Sequence, residues 1–224
     1  MVPIVIADPA QPDQRRGKTL VWKEAKVCLV HPLGSATPWY GGTLQGGVEG
    51  AGRELFNGAR QVGFGVDTRV HAIGDGAPWI TDQIDQHFGQ QGQFLVDFYH
   101  ACEYLGAAVK ACSPDPMAWL DRQQRRPNTN QLDVVLVDLG HPVELDTVAD
   151  PDAPVRAAQR YFTNRREQFD YQGAHEQGLP IESGEIESAH RYVVQQRLKR
   201  PGAWWTVEQA EAMLALRLNR INGR

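Results

Sequence analysis

Cysteine is scarce in this sequence and has no partner pattern: Cys28, Cys102 and Cys112 are odd in number and form no CxxC pair. That argues against a disulfide framework and a structural zinc, and for a reducing compartment. Long apolar runs are missing too. Stretches such as "VPIVIA" and "LDVVLVDL" are far too short to span a bilayer. No basic region leads into a long apolar stretch at the N-terminus, so no signal peptide is expected. A cytoplasmic protein without a membrane partner is the reading that follows. Internal repeats and low-complexity tracts are also absent, and the net charge of −4 shows no basic excess.

What is there is ordinary globular material. At 224 residues, 42% hydrophobic and 22% charged, the chain suffices for one sizeable core with room for an inserted subdomain. Charge is unevenly spread. Residues 151–224 hold 11 Lys+Arg against 9 Asp+Glu, a net of +2, whereas the preceding part holds 12 against 18, a net of −6. The basic residues cluster in "NRR" at 164–166 and "RLKR" at 197–200. A phosphate-bearing partner on one face and a plain solvated helix surface both account for that.

Residues 2–7 and "WKEAKVCLV" (22–30) read as strands that pair as neighbours, with a Pro/Asp/Gly-rich turn, "DPAQPDQRRG", between them. The Gly-rich stretch 34–52 reads as loop. From about residue 54 the order is helix, strand ("RVHAIGD"), helix ("PWITDQIDQHF"), strand ("QFLVDFYH") and helix ("ACEYLGAAVKAC"). This alternation predicts an α/β layer with a partly parallel sheet. Residues 103–180 turn helical, although "LDVVLVDL" (132–139) fits a strand or a buried helix, and "DAPVRAAQRYFTNRREQFDY" predicts a stronger helix with Val155, Ala158, Tyr161, Phe162 and Phe169 at compatible spacings. "TVEQAEAMLALRLNRI" predicts an amphipathic helix with a capping box from Thr206 to Gln209 and a core stripe of Val207, Ala210, Leu214 and Ile221.

Three carboxylates stand out. Asp75 ends a short apolar strand and Gly76 follows it, so its side chain is expected at the carboxyl end of a strand, where ligands gather in α/β sheets. Capping the next helix is an equal alternative. Asp97 ends the next strand, with His100 and Glu103 at three-residue intervals. A zinc reading lacks a second histidine four residues away, and the plainer reading has Asp97 capping a helix and His100 held by a hydrogen bond. With Ser183 as N-cap, a helix runs from Gly184 to about Arg200, and Ile186, Ala189, Val193, Val194 and Leu198 form its apolar face. Glu187 then falls at the flank of that face, where a carboxylate needs a cation, while Glu185 points away beside Gln196 and Lys199. A pair of Mg²⁺ ions, held by carboxylates from separate elements, suits phosphodiester chemistry.

"GDGAPWI", "DFYHACEYL" and "GLPIESGEIESAHRYVVQQRLKRPGAWW" resemble, in that order, the catalytic half of bacterial insertion-sequence transposases of the Kra-type family, related to the Mutator-like DDE transposases. "GGTLQGGVEGAGREL" and "MVPIV" with "WKEAKV" fit the same pattern, so the resemblance covers nearly the whole chain. It implies a ribonuclease-H-like mixed sheet with flanking helices, laid out as a first core part (1–102), a helical insertion (103–180) and C-terminal helices (181–224). It implies Asp75 and Glu187, 112 residues apart, as catalytic and metal-binding carboxylates, with Asp97 and His100 supporting them. Two Mg²⁺ ions (or Mn²⁺) are the implied cofactors. The implied partners are DNA, as terminal inverted repeats and target, and further copies of the chain assembled on it near the nucleoid. Arg191, Arg197, Lys199 and Arg200 would contact phosphates, and Trp204 or Trp205 would stack on an unpaired base, the alternative being that both tryptophans fill a helix junction.

The family's first catalytic aspartate lies in an Asp-Gly pair just before the segment that here reads "MVPIV". The expectation is therefore a C-terminal transposase part without that aspartate and without the N-terminal DNA-binding region. Asp8, the nearest substitute, sits at the far end of the strand beside Pro9. Two further readings stay open: an inactive remnant that folds and binds DNA or a full-length partner, and an unrelated metal phosphohydrolase.

Overall fold

The computed structural model describes residues 1–8, 10, 12–13, 17–141, 144–145 and 147–224. In chain order the elements are β1 (Val2–Ala7), β2 (Lys18–Lys23), β3 (Lys26–Val30), β4 (Trp39–Thr43), α1 (Gly47–Gln61), β5 (Val70–Gly74), α2 (Pro78–Phe88), β6 (Gly92–Val96), α3 (Phe98–Cys112), α4 (Pro116–Arg125), α5 (Leu132–Leu139), α6 (Pro154–Asn164), α7 (Tyr171–Glu176), α8 (Gly184–His190), α9 (Gln196–Leu198) and α10 (Val207–Ile221). The architecture is mixed α/β, with both antiparallel and parallel strand pairs. Among the described residues no helix is long and apolar enough to cross a membrane.

The chain forms two compact units. The first comprises Met1–Arg69, Asp82–Gln91 and Gly184–Arg224. In it β1 pairs antiparallel with β2, and β3 with β4. β1 also bonds on its other edge to the C-terminal segment, Val5 N–H donating to the Trp205 carbonyl at 2.8 Å. Its core gathers Val2, Ile4, Ala25, Leu44, Val193, Val194, Leu198, Ala210, Leu214 and Leu218. A side cluster packs Phe56, Phe64 and Phe88 edge-on or tilted, with His87 stacked on Phe56.

Two expectations need correction here. "WKEAKVCLV" is two strands, broken at Glu24 and Ala25, and only its first two residues belong to the strand that pairs with β1. The expected turn before it lies partly outside the described residues. The stretch 34–52 is not simply loop: it contains β4 and the first turns of α1. Glycine-poor propensity hides β4, yet its glycines are what the packing needs. A Cβ at Gly41 would meet the Trp39 ring at 2.5 Å, and one at Gly58 of α1 would meet it at 2.3 Å. The indole is thus seated by missing side chains.

The second unit comprises Val70–Thr81 and Gly92–Ser183. β5 and β6 pair in parallel, and the helices α3 to α7 surround an aromatic core of Tyr161, Phe162, Phe169 and Tyr171. The ambiguous run 132–139 is the helix α5, with Leu132, Val135 and Leu139 buried at helical spacing. α2 and α3 match the expected helices, and Pro78 is the first residue of α2 as its fixed φ favours.

α10 carries the expected capping box between Thr206 and Gln209. Its buried stripe is Ala210, Leu214 and Leu218, whereas Ile221 in the last turn is 40% exposed. Leu214→Ala is expected to cost roughly 2–5 kcal/mol, the range for an emptied buried leucine site, and Ile221→Ala well under half as much; urea unfolding of both variants against the parent checks the contrast.

Candidate functional site

In the second unit, parallel register sets Gly74 opposite Val96, and Asp97 N–H donates to the Gly74 carbonyl at 2.7 Å. Asp75 and Asp97 therefore follow directly from the carboxyl ends of neighbouring strands, the location where open α/β sheets place ligands. Their side chains have opposite fates. Asp75 is exposed, and its Oδ1 accepts Ala77 N–H at 2.9 Å, which closes a small side-chain turn ahead of α2. Only part of its capacity is used, so it resembles a cap and still offers a carboxylate oxygen to solvent.

The backbone beneath Asp75 is held by two side chains that sequence spacing places in the core and in the basic cluster at 164–166. Tyr161 donates its hydroxyl to the Asp75 carbonyl at 2.9 Å, and Arg165 donates Nε–H to the Gly76 carbonyl at 2.5 Å. Gly76 has φ +81, and a Cβ there would lie 2.6 Å from Arg165 Nε and 3.2 Å from the Tyr161 hydroxyl. The Arg165 guanidinium lies over the Tyr161 ring at 4.3 Å, and that ring stacks on Tyr104 at 3.9 Å between centroids. Tyr161 is 3% exposed, and burial pushes its phenol well above the ordinary value, so it stays a donor. The spacing of Tyr161 with Phe162 on α6 announced burial; nothing local announced its hydroxyl partner 86 residues away.

Asp97 is 5% exposed and fully engaged. Its Oδ1 caps α3 by accepting His100 N–H at 2.8 Å, and its Oδ2 accepts both Ser183 N–H at 2.5 Å and Ser183 Oγ–H at 2.7 Å. Phe98 N–H donates to the Ile181 carbonyl at 3.0 Å, and His71 Nε2 lies 2.8 Å from the Pro180 carbonyl. Residues 180–183 are thus fastened to the same sheet edge. Ser183 was expected to cap the following helix; its hydroxyl goes to Asp97 instead. His100 reaches Glu103 at 3.2 Å and meets Tyr104 and Tyr161 edge-on. Burial, then the Asp97 charge, pushes the neighbouring Cys102 thiol up to about 11.

In the first unit, Glu187 lies on α8 in a cleft of about 660 Å³ with Gly184, Ile186, Ser188, His190, Arg191 and Gln195. Glu187 is exposed, not caught at the margin of the core as its position on an ideal helix suggested. Glu185 pairs with His31 at 3.1 Å. The helix is not uniform. Arg191–Gln195 forms a π-turn, in which Gln196 N–H bonds back to the Arg191 carbonyl five residues earlier. His190 Nδ1 and Gln195 Nε2 meet at 3.3 Å. On a regular helix that five-residue step would leave them about 140° apart. Arg217 of α10 supports the turn, donating Nε–H to the Val193 carbonyl at 3.0 Å and Nη2–H to the Tyr192 carbonyl. Burial keeps the His190 imidazole below its usual pKa.

Downstream, Arg191, Arg197, Lys199 and Arg200 are exposed. The two tryptophans differ. Trp205 is half-buried, donates Nε1–H to the Leu198 carbonyl at 3.1 Å and carries Arg197 at 5.9 Å over its ring. Trp204 is 64% exposed. The helix-junction role therefore fits Trp205 alone, and Trp204 is the ring left open to solvent.

Asp75 and Glu187 each offer an exposed carboxylate, the donor type that Mg²⁺ takes one or two at a time alongside water and phosphate. Among the described residues no three His, Cys, Asp or Glu side chains gather as a ready-made ligand set. Asp8, at the end of β1, is exposed and accepts Ala10 N–H at 2.9 Å.

These features define a mixed α/β protein with a reinforced acidic turn at a parallel strand end. The chain belongs to the uncharacterised protein family UPF0236, which it matches over residues 66–224. No curated protein and no solved structure matches it.

Two outcomes test this description. Asp97→Ala leaves three part-buried donors unmet and removes a helix cap, and is expected to cost roughly 2–4 kcal/mol in urea unfolding. Arg217→Ala should leave the helical circular dichroism in place while amide exchange at 192–196 speeds up, read by mass spectrometry; unchanged exchange there would show that the π-turn holds without it.

Proposed function

We propose that the chain is the catalytic part of a DDE-type transposase of the Kra-type, Mutator-like kind. In this reading its fold is ribonuclease-H-like, the helices of 103–180 are an insertion, and its substrate is DNA at the ends of an insertion sequence. The observation that carries the reading is Asp75: an exposed carboxylate at a parallel strand end, on a turn whose backbone is held by Tyr161 and Arg165. A rigid base under a solvent-facing carboxylate is what a metal ligand requires, and a plain helix cap needs no such support.

Asp75 and Glu187 would hold Mg²⁺ or Mn²⁺, which supplies activation of the attacking oxygen and stabilisation of the leaving one. The protein's own residues do the rest. Asp97 fixes Ser183, four residues before Glu187 in the chain, and caps α3, which carries His100. Arg191, Arg197, Lys199 and Arg200 neutralise backbone phosphates, and the open ring of Trp204 takes an unpaired base by stacking. Copies of the chain assemble on the terminal repeats and the target.

A second reading, a DNA-binding remnant without cleavage, is favoured by β1: Val2–Ala7 carries no carboxylate, and Asp8 is engaged in its own turn. Nicking of a supercoiled plasmid in Mg²⁺ or Mn²⁺ decides between the two. The catalytic reading expects metal-dependent nicking that Asp75→Asn and Glu187→Gln each reduce by at least the roughly 10–100-fold seen even for outer-shell changes at metal sites. Binding of the plasmid without nicking supports the remnant. Nicking that survives both substitutions would remove these two residues from the chemistry.

A further inference from the structure

Among the described residues Arg165 is a cation without an anion. Its guanidinium is half-buried, and its hydrogen bonds go to two main-chain carbonyls: Nε–H to Gly76 at 2.5 Å and Nη1–H to Tyr161 at 3.2 Å. Among the described residues no carboxylate lies within ion-pair distance of it. Its neighbour Arg166 shows the contrast, being exposed and paired with Asp133. The other part-buried arginines of this unit have acids too: Arg126 meets Asp138 at 2.6 Å, and Arg156 lies 3.6 Å from Asp150.

Leaving a guanidinium partly out of water with carbonyls alone costs free energy that an ion pair would recover. The surroundings hold the group in one orientation. The stack on Tyr161, itself stacked on Tyr104, fixes the guanidinium plane, and the absent Cβ at Gly76 gives it room. Nη2 has no hydrogen-bond partner among the described residues. Nε and Nη1 are therefore spent on main-chain carbonyls, of Gly76 and Tyr161, and Nη2 is left open.

We infer that Arg165 is a phosphate-binding residue: its open Nη2 takes a backbone phosphate of the nucleic acid whose cleavage Asp75 serves, and Tyr161 is the positioning residue that keeps the fork in place. The inference rests on the proposed function and adds to it a specific contact from the helical segment. An arginine suits the task better than a lysine, because its planar fork bonds the Gly76 carbonyl and an anion at once.

Salt dependence of DNA binding tests this with readouts that a merely structural role would not produce. Fluorescence anisotropy of a labelled duplex is measured over a potassium chloride series for the parent chain, Arg165→Gln, Arg165→Lys and Arg125→Ala. Glutamine keeps a donor for the Gly76 carbonyl and removes the charge; lysine keeps the charge and removes the fork. Losing one phosphate contact should reduce the slope of log K against log salt by about 1 in Arg165→Gln, and Arg165→Lys should retain the parent slope. Arg125, an exposed cation paired with Asp121 at 3.0 Å, serves as the control and should leave the slope unchanged.

Thermal melting of each variant reports whether it folds. Should Arg165→Gln fail to fold, the comparison of Arg165→Lys with the parent in chloride and in phosphate at matched ionic strength takes its place. Phosphate anions should then displace duplex from the parent more than from the lysine variant, because the fork is lost. A parent chain that binds duplex with a slope untouched by Arg165→Gln, or phosphate displacing duplex from parent and lysine variant alike, overturns the inference and leaves the proposed function standing. A parent chain with no salt-dependent duplex binding overturns both.

Discussion

Two peptide groups carry most of the candidate site: Gly74 and Asp97 meet across the end of a parallel strand pair, the carbonyl of one accepting from the amide of the other at 2.7 Å. Parallel pairing is uniform in direction, so both chains leave the sheet at the same edge. Everything distinctive in the second unit follows from that shared exit. One chain leaves through Asp75 into a turn clamped by α6, and the other leaves through Asp97 into α3. Opposite treatment of the two acids then separates their tasks. Asp97 is buried and saturated with donors, a structural anchor, and Asp75 stands in water on a braced backbone.

That bracing is long-range. Tyr161 and Arg165 lie 86 and 89 residues beyond the carbonyls they hold. The helical segment between is therefore more than a spacer, because its packing decides whether the Asp75 turn has a floor. Gly76 completes the fit, because a left-handed backbone and an approaching guanidinium coincide there.

Much of this was legible in the sequence, unevenly and for identifiable reasons. A well-placed proline marked the start of α2 in advance, and the strand ends at Asp75 and Asp97 were marked by apolar runs meeting an acid. β4 was hidden because its glycines argue against a strand, and their reason, the Trp39 ring, comes from packing. The π-turn in 191–195 was invisible to any argument that assumes a constant angle per residue, and with it went the expected inward margin for Glu187. Tyr161 and Arg165 failed for a different reason. Their residue types were noticed, one as core and one in a basic run, but a hydrogen bond to a distant carbonyl leaves no local trace. The basic run "NRR" did contain the relevant cation; its companion Arg166 spends its charge on Asp133.

Position 76 has a consequence for chirality. The backbone there has a positive φ, and the hydrogen that an L-residue would replace points at Arg165 Nε, 2.6 Å from where the new carbon would lie. A mirror-image residue would adopt the same torsion without strain and direct its methyl along the other bond from the α-carbon. What the turn refuses is one hand of side chain, not bulk as such, and ribosomal synthesis offers only the hand it refuses.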